Sequence, residues 1–202
     1  MNQIIKNTII LFVITLVAGI CLGTVHDITL DPIAQAQEAA ATKTYQEVYP
    51  DAASFDEPQE LADAVTAAAD SISEWGFGKV TINDAKEALD ASGNQIGYLI
   101  TSTSAESYGG NVQIAVGITN EGELTGIGFL SISDTPGLGM RAKEPDFKDQ
   151  FIGKKAEKLE VTKTGASADN QIQAISGATI TSKAVTNATD AAIYFVANCL
   201  AQ

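Results

Sequence analysis

Between Thr8 and Val25 the chain reads TIILFVITLVAGICLGTV, eighteen residues without a charge, and Ile4 and Ile5 carry the apolar character back past Lys6. A helix of that length rises to nearly the thickness of a bilayer's hydrocarbon core, so the stretch predicts a membrane span. Lys6 and the terminal amine precede it, Asp27 and Asp31 come after it, and no basic residue recurs until Lys43. That asymmetry puts the amino terminus in the cytoplasm and the rest of the chain outside. A cleaved signal peptide is the competing reading. Ala34-Gln35-Ala36 has the look of a cleavage triplet, but it lies about nine residues beyond an apolar run that is long for a signal core. The expectation is a single-pass protein of the cytoplasmic (inner) cell membrane.

Beyond the span there is room for one ordinary domain within the 202 residues. With 45% hydrophobic and 18% charged residues, the chain has the composition of one that folds by itself. Net charge is −13. Lys6 and Asp27 cancel within the first thirty residues, so all of the excess sits beyond the span. Such a surface repels phosphate backbones and anionic head groups, which argues against a nucleic-acid partner. Cys21 lies in the apolar run and Cys199 near the carboxy terminus, so a bond between them would draw the chain end into the membrane, and both read as apolar residues. His26 is the one histidine and reads as interfacial. No zinc, haem or iron–sulfur ligand set and no Ser–His–Asp constellation can be assembled, so neither a metal site nor a catalytic residue is expected.

Three segments are predicted: an anchor over 1–26, a helical connector over 27–70 and an extracytoplasmic domain over 71–202. DPIAQAQEAAATKTYQEVYP and PQELADAVTAAAD place apolar residues at helical spacing. GYLITSTSA, NVQIAVGIT and LTGIGFLSIS are β-branched runs of strand length separated by YGG and NEGE, which predicts antiparallel strands joined by tight turns. Val112, Ile114, Val116 and Ile118 alternate with small or polar residues, as in a half-buried strand. The fold class is therefore α+β, an antiparallel sheet with flanking helices. Trp75 reads as core.

SDTPGLGMRAKEPDF, rich in glycine and proline, predicts a long loop leading to a short helix near Asp146. Gly137 and Gly139 bracket Leu138, so the backbone there can approach a planar ligand while Leu138 packs on it. ISGATITS, Ile175 to Ser182, precedes a stretch whose Ala184, Val185, Ala188, Ala192, Phe195 and Val196 share one helical face. The motif is thus a helix start, where unpaired N–H groups and a partial positive charge suit a phosphate without any basic side chain. The hydroxyls of Ser176, Thr179, Thr181 and Ser182 have two available uses, capping the helix or bonding and esterifying a phosphate.

SGATITS after the TPGLG loop resembles the FMN-binding domain family of Rnf electron-transport complexes, whose G subunit is the nearest likeness. A related member is the C subunit of the sodium-translocating NADH:quinone oxidoreductase, usually a longer chain. The resemblance runs through the span, Asp31-Pro32-Ile33, the strand at Gly97, Asp134 to Gly139, and SGAT. It implies FMN joined through its phosphate, as a phosphoester, to Thr179 by a separate flavin transferase. It further implies Ser176, Gly177, Ala178 and Thr181 near the phosphate, and Thr135, Gly137, Leu138 and Gly139 near the ring. Tyr108, Gly109 and Gly110 are further candidates, with a packing residue and a hairpin turn as their plain alternatives. Asp134 stands where the family more often has Glu. Gln173 stands where the transferase's pattern commonly has an acid, the nearest being Asp169.

The function so implied is an electron relay within an ion-translocating ferredoxin:NAD oxidoreductase, with other membrane, iron–sulfur and flavin subunits as partners. A tethered flavin brings its own redox chemistry, in keeping with a chain that has no catalytic set. Alternatives are a component of a quinone-reducing complex, a free-standing membrane flavoprotein, or a membrane-anchored binding module in which SGATITS merely starts a helix. Topology is directly testable. A cysteine tag near Asp56 is expected to react with a membrane-impermeant reagent in intact cells; labelling only after lysis would reverse the orientation.

Overall fold

The computed structural model describes residues 2–155 and 158–200. Helix α1 runs Asn2–Val48 and continues through Pro32, although that residue lacks the N–H its turn would use. Compactness divides the chain after Thr42, whereas the sequence pattern divides it at 26/27 and 70/71. Up to the division at Thr42, α1 is long and apolar enough to cross a bilayer. Ile9, Leu11, Phe12, Ile14, Ile20 and Leu22 are all exposed on it. Its hydroxyls look inward: Thr8, Thr15 and Thr24 donate to the carbonyls of Ile4, Leu11 and Ile20 at 2.9, 3.0 and 2.8 Å. In hydrocarbon a threonine has no other acceptor within reach, so these back-bonds keep the helix surface apolar.

The second unit, from Lys43, is an α+β domain around a five-stranded antiparallel sheet in sequential order: β1 Ser54–Asp56, β2 Val80–Leu89, β3 Gln95–Ser107, β4 Gly110–Thr119 and β5 Leu124–Ile132. Helix α2, Gln59–Ala68, links β1 to β2. After β5 come a 3-10 turn at Gly139–Lys143, the short helix α3 at Pro145–Lys148, and a separate parallel pair, β6 Glu160–Thr162 with β7 Gln171–Gln173. Helix α4, Thr179–Phe195, ends in a π-helical turn at Val196–Leu200.

The three strands and the carboxy-terminal helix lie where alternation and helical spacing predict them. Helix α4 packs on the sheet through small residues, with Ala184, Val185, Ala188, Ala192 and Phe195 buried against Ile100, Ile114, Val116 and Ile118. Phe195 is fully covered, which contributes roughly 1.5–3 kcal/mol of apolar burial. Ser102, also fully buried, satisfies its hydroxyl by donating to the Ala188 carbonyl at 2.9 Å.

Strand β4 differs from the half-buried expectation, because its other face is covered too: Ala115 packs with Leu99 and Val48 at the end of α1. The close approach depends on missing side chains. A Cβ on Gly117 would stand 3.0 Å from Val48 Cγ1, and one on Gly128 would stand 2.6 Å from Val48 Cγ2. Thr125 then donates to the Val48 carbonyl at 2.7 Å, and the Tyr49 hydroxyl to the Ile96 carbonyl at 2.8 Å. Strand β2 escapes the period-two pattern for a local reason. A register shift between Ile82 and Asp84 moves the buried positions from Val80 and Ile82 to Ala85 and Ala88. Cys21 and Cys199 are both free. Trp75 is partly buried and rests on Tyr194, ring centroids 4.7 Å apart.

Midway along α4, Asp190 is almost wholly buried and accepts the Leu159 N–H at 2.8 Å, fastening the chain before β6 to the helix. Burial pushes its carboxyl up from 3.8 to about 7, against the Leu159 N–H and the Lys158 charge, which pull it down. Between those two values the native state holds a proton that the unfolded chain releases. The stabilisation is complete below the unfolded value and disappears as pH rises through about 7. Asp190→Asn, which keeps the acceptor and removes the ionisation, is expected to melt above wild type at pH 8. The gap should be on the order of 1–4 kcal/mol, each pKa unit corresponding to about 1.4 kcal/mol. It should narrow as pH falls below about 7 and close only near the unfolded value of 3.8; a gap that stays constant with pH would contradict this account.

Candidate functional site

One buried carboxylate gathers three separate parts of the chain. Asp134, just after β5, is 5% exposed. Its Oδ2 accepts from the Ser107 hydroxyl at 2.6 Å and from the Thr181 hydroxyl at 2.7 Å, and its Oδ1 accepts the Gly109 N–H. Ser107 ends β3, Gly109 lies in the turn to β4, and Thr181 lies in the first turn of α4. A buried charge is tolerable when donors surround it, and bonds to a carboxylate are stronger than neutral ones. The neighbours are correspondingly small: a Cβ on Gly139 would stand 2.6 Å from Asp134 Cβ, and one on Gly109 would stand 2.7 Å from Asp134 Oδ1.

From this hub the Thr135–Leu138 turn closes through the N–H groups of Leu138 and Met140, which donate to the Thr135 carbonyl at 3.1 and 3.3 Å. Leu138 stays 43% exposed and lies over Gly177, its Cδ2 3.1 Å from where a Cβ there would be. Gly177 has φ +79°, a conformation that favours glycine. The Ala178 N–H donates to the Ile175 carbonyl at 2.9 Å and the Ile175 N–H to the Ser182 hydroxyl at 3.0 Å, so a tight turn leads into α4.

The hydroxyls here do not cap the helix. Ala178 occupies the cap position with no side-chain bond, Thr181 is turned to Asp134, and Ser182 donates back to the Ala178 carbonyl at 3.0 Å. Among the described residues, no hydrogen bond engages the hydroxyl of Ser176 or of half-exposed Thr179, or the N–H of Thr179, Ile180 or Thr181. Beside Thr179 opens a cleft of about 720 Å³, lined by Arg141, Glu144, Phe147 and Gln150 together with Lys163 and Gln173–Gly177. Arg141 Nε pairs with Glu144 Oε2 at 3.2 Å.

Residues 107–194 match the FMN-binding domain family, and residues 1–48 match the RnfG N-terminal region. The G subunit of the Na(+)-translocating ferredoxin:NAD(+) oxidoreductase complex of Acetobacterium woodii is 36% identical over 203 residues, covering 96% of this chain and 92% of that one. This chain belongs to the family of Rnf G subunits. The G subunit of the proton-translocating ferredoxin:NAD(+) oxidoreductase complex of Clostridium ljungdahlii is 30% identical, covering 95% of this chain and 91% of that one. The G subunit of an ion-translocating oxidoreductase complex of Methanosarcina acetivorans is also 30% identical, covering 96% and 95%.

Of the residues that the sequence singles out in this Rnf-type chain, Ser176, Gly177, Ala178, Thr179 and Thr181 form the helix start. Gly109 and Gly139 touch the Asp134 hub, and Leu138 covers Gly177. Thr135 and Gly137 are exposed on the loop; Tyr108 is 73% exposed beside Gly109, and Gly110 has φ +108° in the hairpin turn. Sequence reasoning assigns no role to Asp134, Ser107, Gln150 or the charged cleft walls. For Asp134 a signal exists: it is an acid between a strand end and a glycine-rich loop. Asp134→Ala, which strands the Ser107, Thr181 and Gly109 donors, is expected to lower unfolding free energy by about 2–4 kcal/mol in denaturant titration. Asp134→Asn, which keeps one acceptor oxygen, should lose less.

Proposed function

We propose that this chain is the electron-relaying G subunit of a membrane-bound ferredoxin:NAD oxidoreductase that couples electron flow to ion transport, with FMN held as a phosphoester on Thr179. Helix α1 is its single-span anchor, and the domain from Lys43 faces outward. The other membrane, iron–sulfur and flavin subunits are its partners, and a flavin transferase matures it.

The observation that carries this reading is that, among the described residues, the Thr179 hydroxyl is unengaged beside three unpartnered N–H groups at the start of a 17-residue helix, within the FMN-binding match. A phosphate there is stabilised by the amides and by the positive end of the helix, which suits a chain of net charge −13. Gly177 has no Cβ to press on Leu138, so no side chain stands between that residue and the helix start. The cleft beside Thr179 falls within the roughly 300–1,000 Å³ typical of small-molecule sites. The residues present therefore fit the group.

FMN when bound supplies one- and two-electron chemistry. The chain's own part is to hold and orient. Thr179 provides the ester oxygen, the amides of the first turn of α4 take the phosphate charge, and Leu138 offers an exposed apolar surface next to it. Thr181 does not compete for the phosphate because Asp134 holds its hydroxyl.

Thr179→Ala tests the linkage. The intact mass of protein matured with a flavin transferase is expected to fall by one FMN adduct, with fluorescence lost from a denaturing gel. Stability should change by less than about 0.5 kcal/mol, as for other substitutions that break no contact. Flavin surviving denaturation in the variant would refute attachment at Thr179.

A further inference from the structure

Among the described residues, strand β7 has one partner, the parallel strand β6, and the Ala174 N–H just after it donates to the Thr162 carbonyl at 2.8 Å. Backbone groups alternate in direction along a strand, so the N–H and carbonyl of Gln173 point away from β6, to the free edge. There they meet a side chain in place of a third strand. Gln150 Oε1 accepts the Gln173 N–H at 2.7 Å, and Gln150 Nε2 donates to the Gln173 carbonyl at 3.3 Å. The same Nε2 donates to the Asp146 carbonyl at 3.0 Å, which holds the carboxamide in one orientation. Phe147 and Phe151 on either side of Gln150 are buried, so the segment carrying it is anchored in the core.

Both ends of this clamp, Gln150 and Gln173, line the cleft beside Thr179. Past Gln173 the chain is held at Ile175 by the Ser182 hydroxyl and at Ala178 by the Ile175 carbonyl. We infer that Gln150 is a positioning residue for the attachment threonine: its carboxamide stands in for a neighbouring strand on β7 and sets where the Gln173–Thr179 segment lies relative to the segment that carries Gln150. Only a carboxamide can do this, since the site needs an acceptor and a donor on one planar group. A carboxylate would face the Gln173 and Asp146 carbonyls with no proton to give. The inference rests on Thr179 as the flavin site and adds the residue that presents it.

The test uses the full-length chain, coproduced with a flavin transferase, in wild-type, Gln150→Met and Gln150→Glu forms. Two quantities are read: the rate of covalent flavin uptake, and amide hydrogen exchange of the flavin-free chains. In Gln150→Met, uptake is expected to slow by about fivefold, the scale of one lost ordering hydrogen bond. The Gln173 amide should exchange faster while the Ala174 amide, bonded to Thr162, keeps its protection. Gln150→Glu, which retains the acceptor alone, should fall between Met and wild type in Gln173 protection. Uptake at the wild-type rate in Gln150→Met would overturn the inference. So would loss of protection at both Gln173 and Ala174, which would make Gln150 a support of the whole β6–β7 pair. Should Gln150→Met fail to fold, Gln150→Glu decides alone: unchanged uptake and unchanged Gln173 exchange would overturn the inference. Absence of flavin from the wild-type chain would refute attachment at Thr179 instead, and the exchange pattern alone would then support or overturn the clamp.

Discussion

A carboxylate taken out of water must find donors, and the Asp134 side chain finds three from parts of the chain that would otherwise be independent. Ser107 and Gly109 bring the β3–β4 turn, Thr181 brings the start of α4, and the aspartate itself begins the TPGLG loop. Leaving such a charge with fewer partners would cost more than any one bond contributes, so the three segments are held as a set. The positions of Leu138 over Gly177 and of Thr179 at the helix start depend on that arrangement. Gly109 and Gly139 are required by it, since side chains at either would occupy the space of the Asp134 side chain or its neighbour.

Helix α4 is the element through which the constraint spreads. It is tied at its start by Thr181 to Asp134 and midway by Asp190 to the Leu159 amide, and between those points its alanines lie close on the sheet. On the opposite face, Gly117 and Gly128 admit the end of α1. The sheet is therefore covered on both faces near its middle strands, and the helix start that bears Thr179 rests on a well-packed support. Close packing at that point would suit the flavin we propose there, because position is what the protein supplies to such a cofactor.

The acidity of the chain shapes the site as well. Arg141 is engaged with Glu144, and the helix start offers amides where other proteins offer lysines or arginines. Backbone N–H groups supply positive potential without a net charge, which would suit the phosphate we propose there in a strongly negative domain. The Gln150 clamp likewise works without charge, one neutral carboxamide satisfying a strand edge that would otherwise face water in the cleft wall.

By itself the sequence determined the elements whose signals are local. Eighteen uncharged residues specify an apolar helix, alternation at Val112 to Ile118 specifies β4, and SGATITS before an apolar helical face specifies where α4 begins. The motif likewise pointed to the family. Strand β2 was not legible because a register shift at Asn83 breaks its period, and the β6–β7 pair because three-residue strands carry too few positions to show one. The use of each hydroxyl was not legible either. Ser176, Thr179, Thr181 and Ser182 look alike as residue types, and only the folded chain brings Asp134 across 47 positions to Thr181, turns Ser182 to Ile175 and Ala178, and leaves Thr179 unengaged. Periodicity and motif act over neighbours in the chain, whereas a hydrogen-bond partner is chosen by proximity in space, and that exists only after the sheet, the loop and α4 have packed.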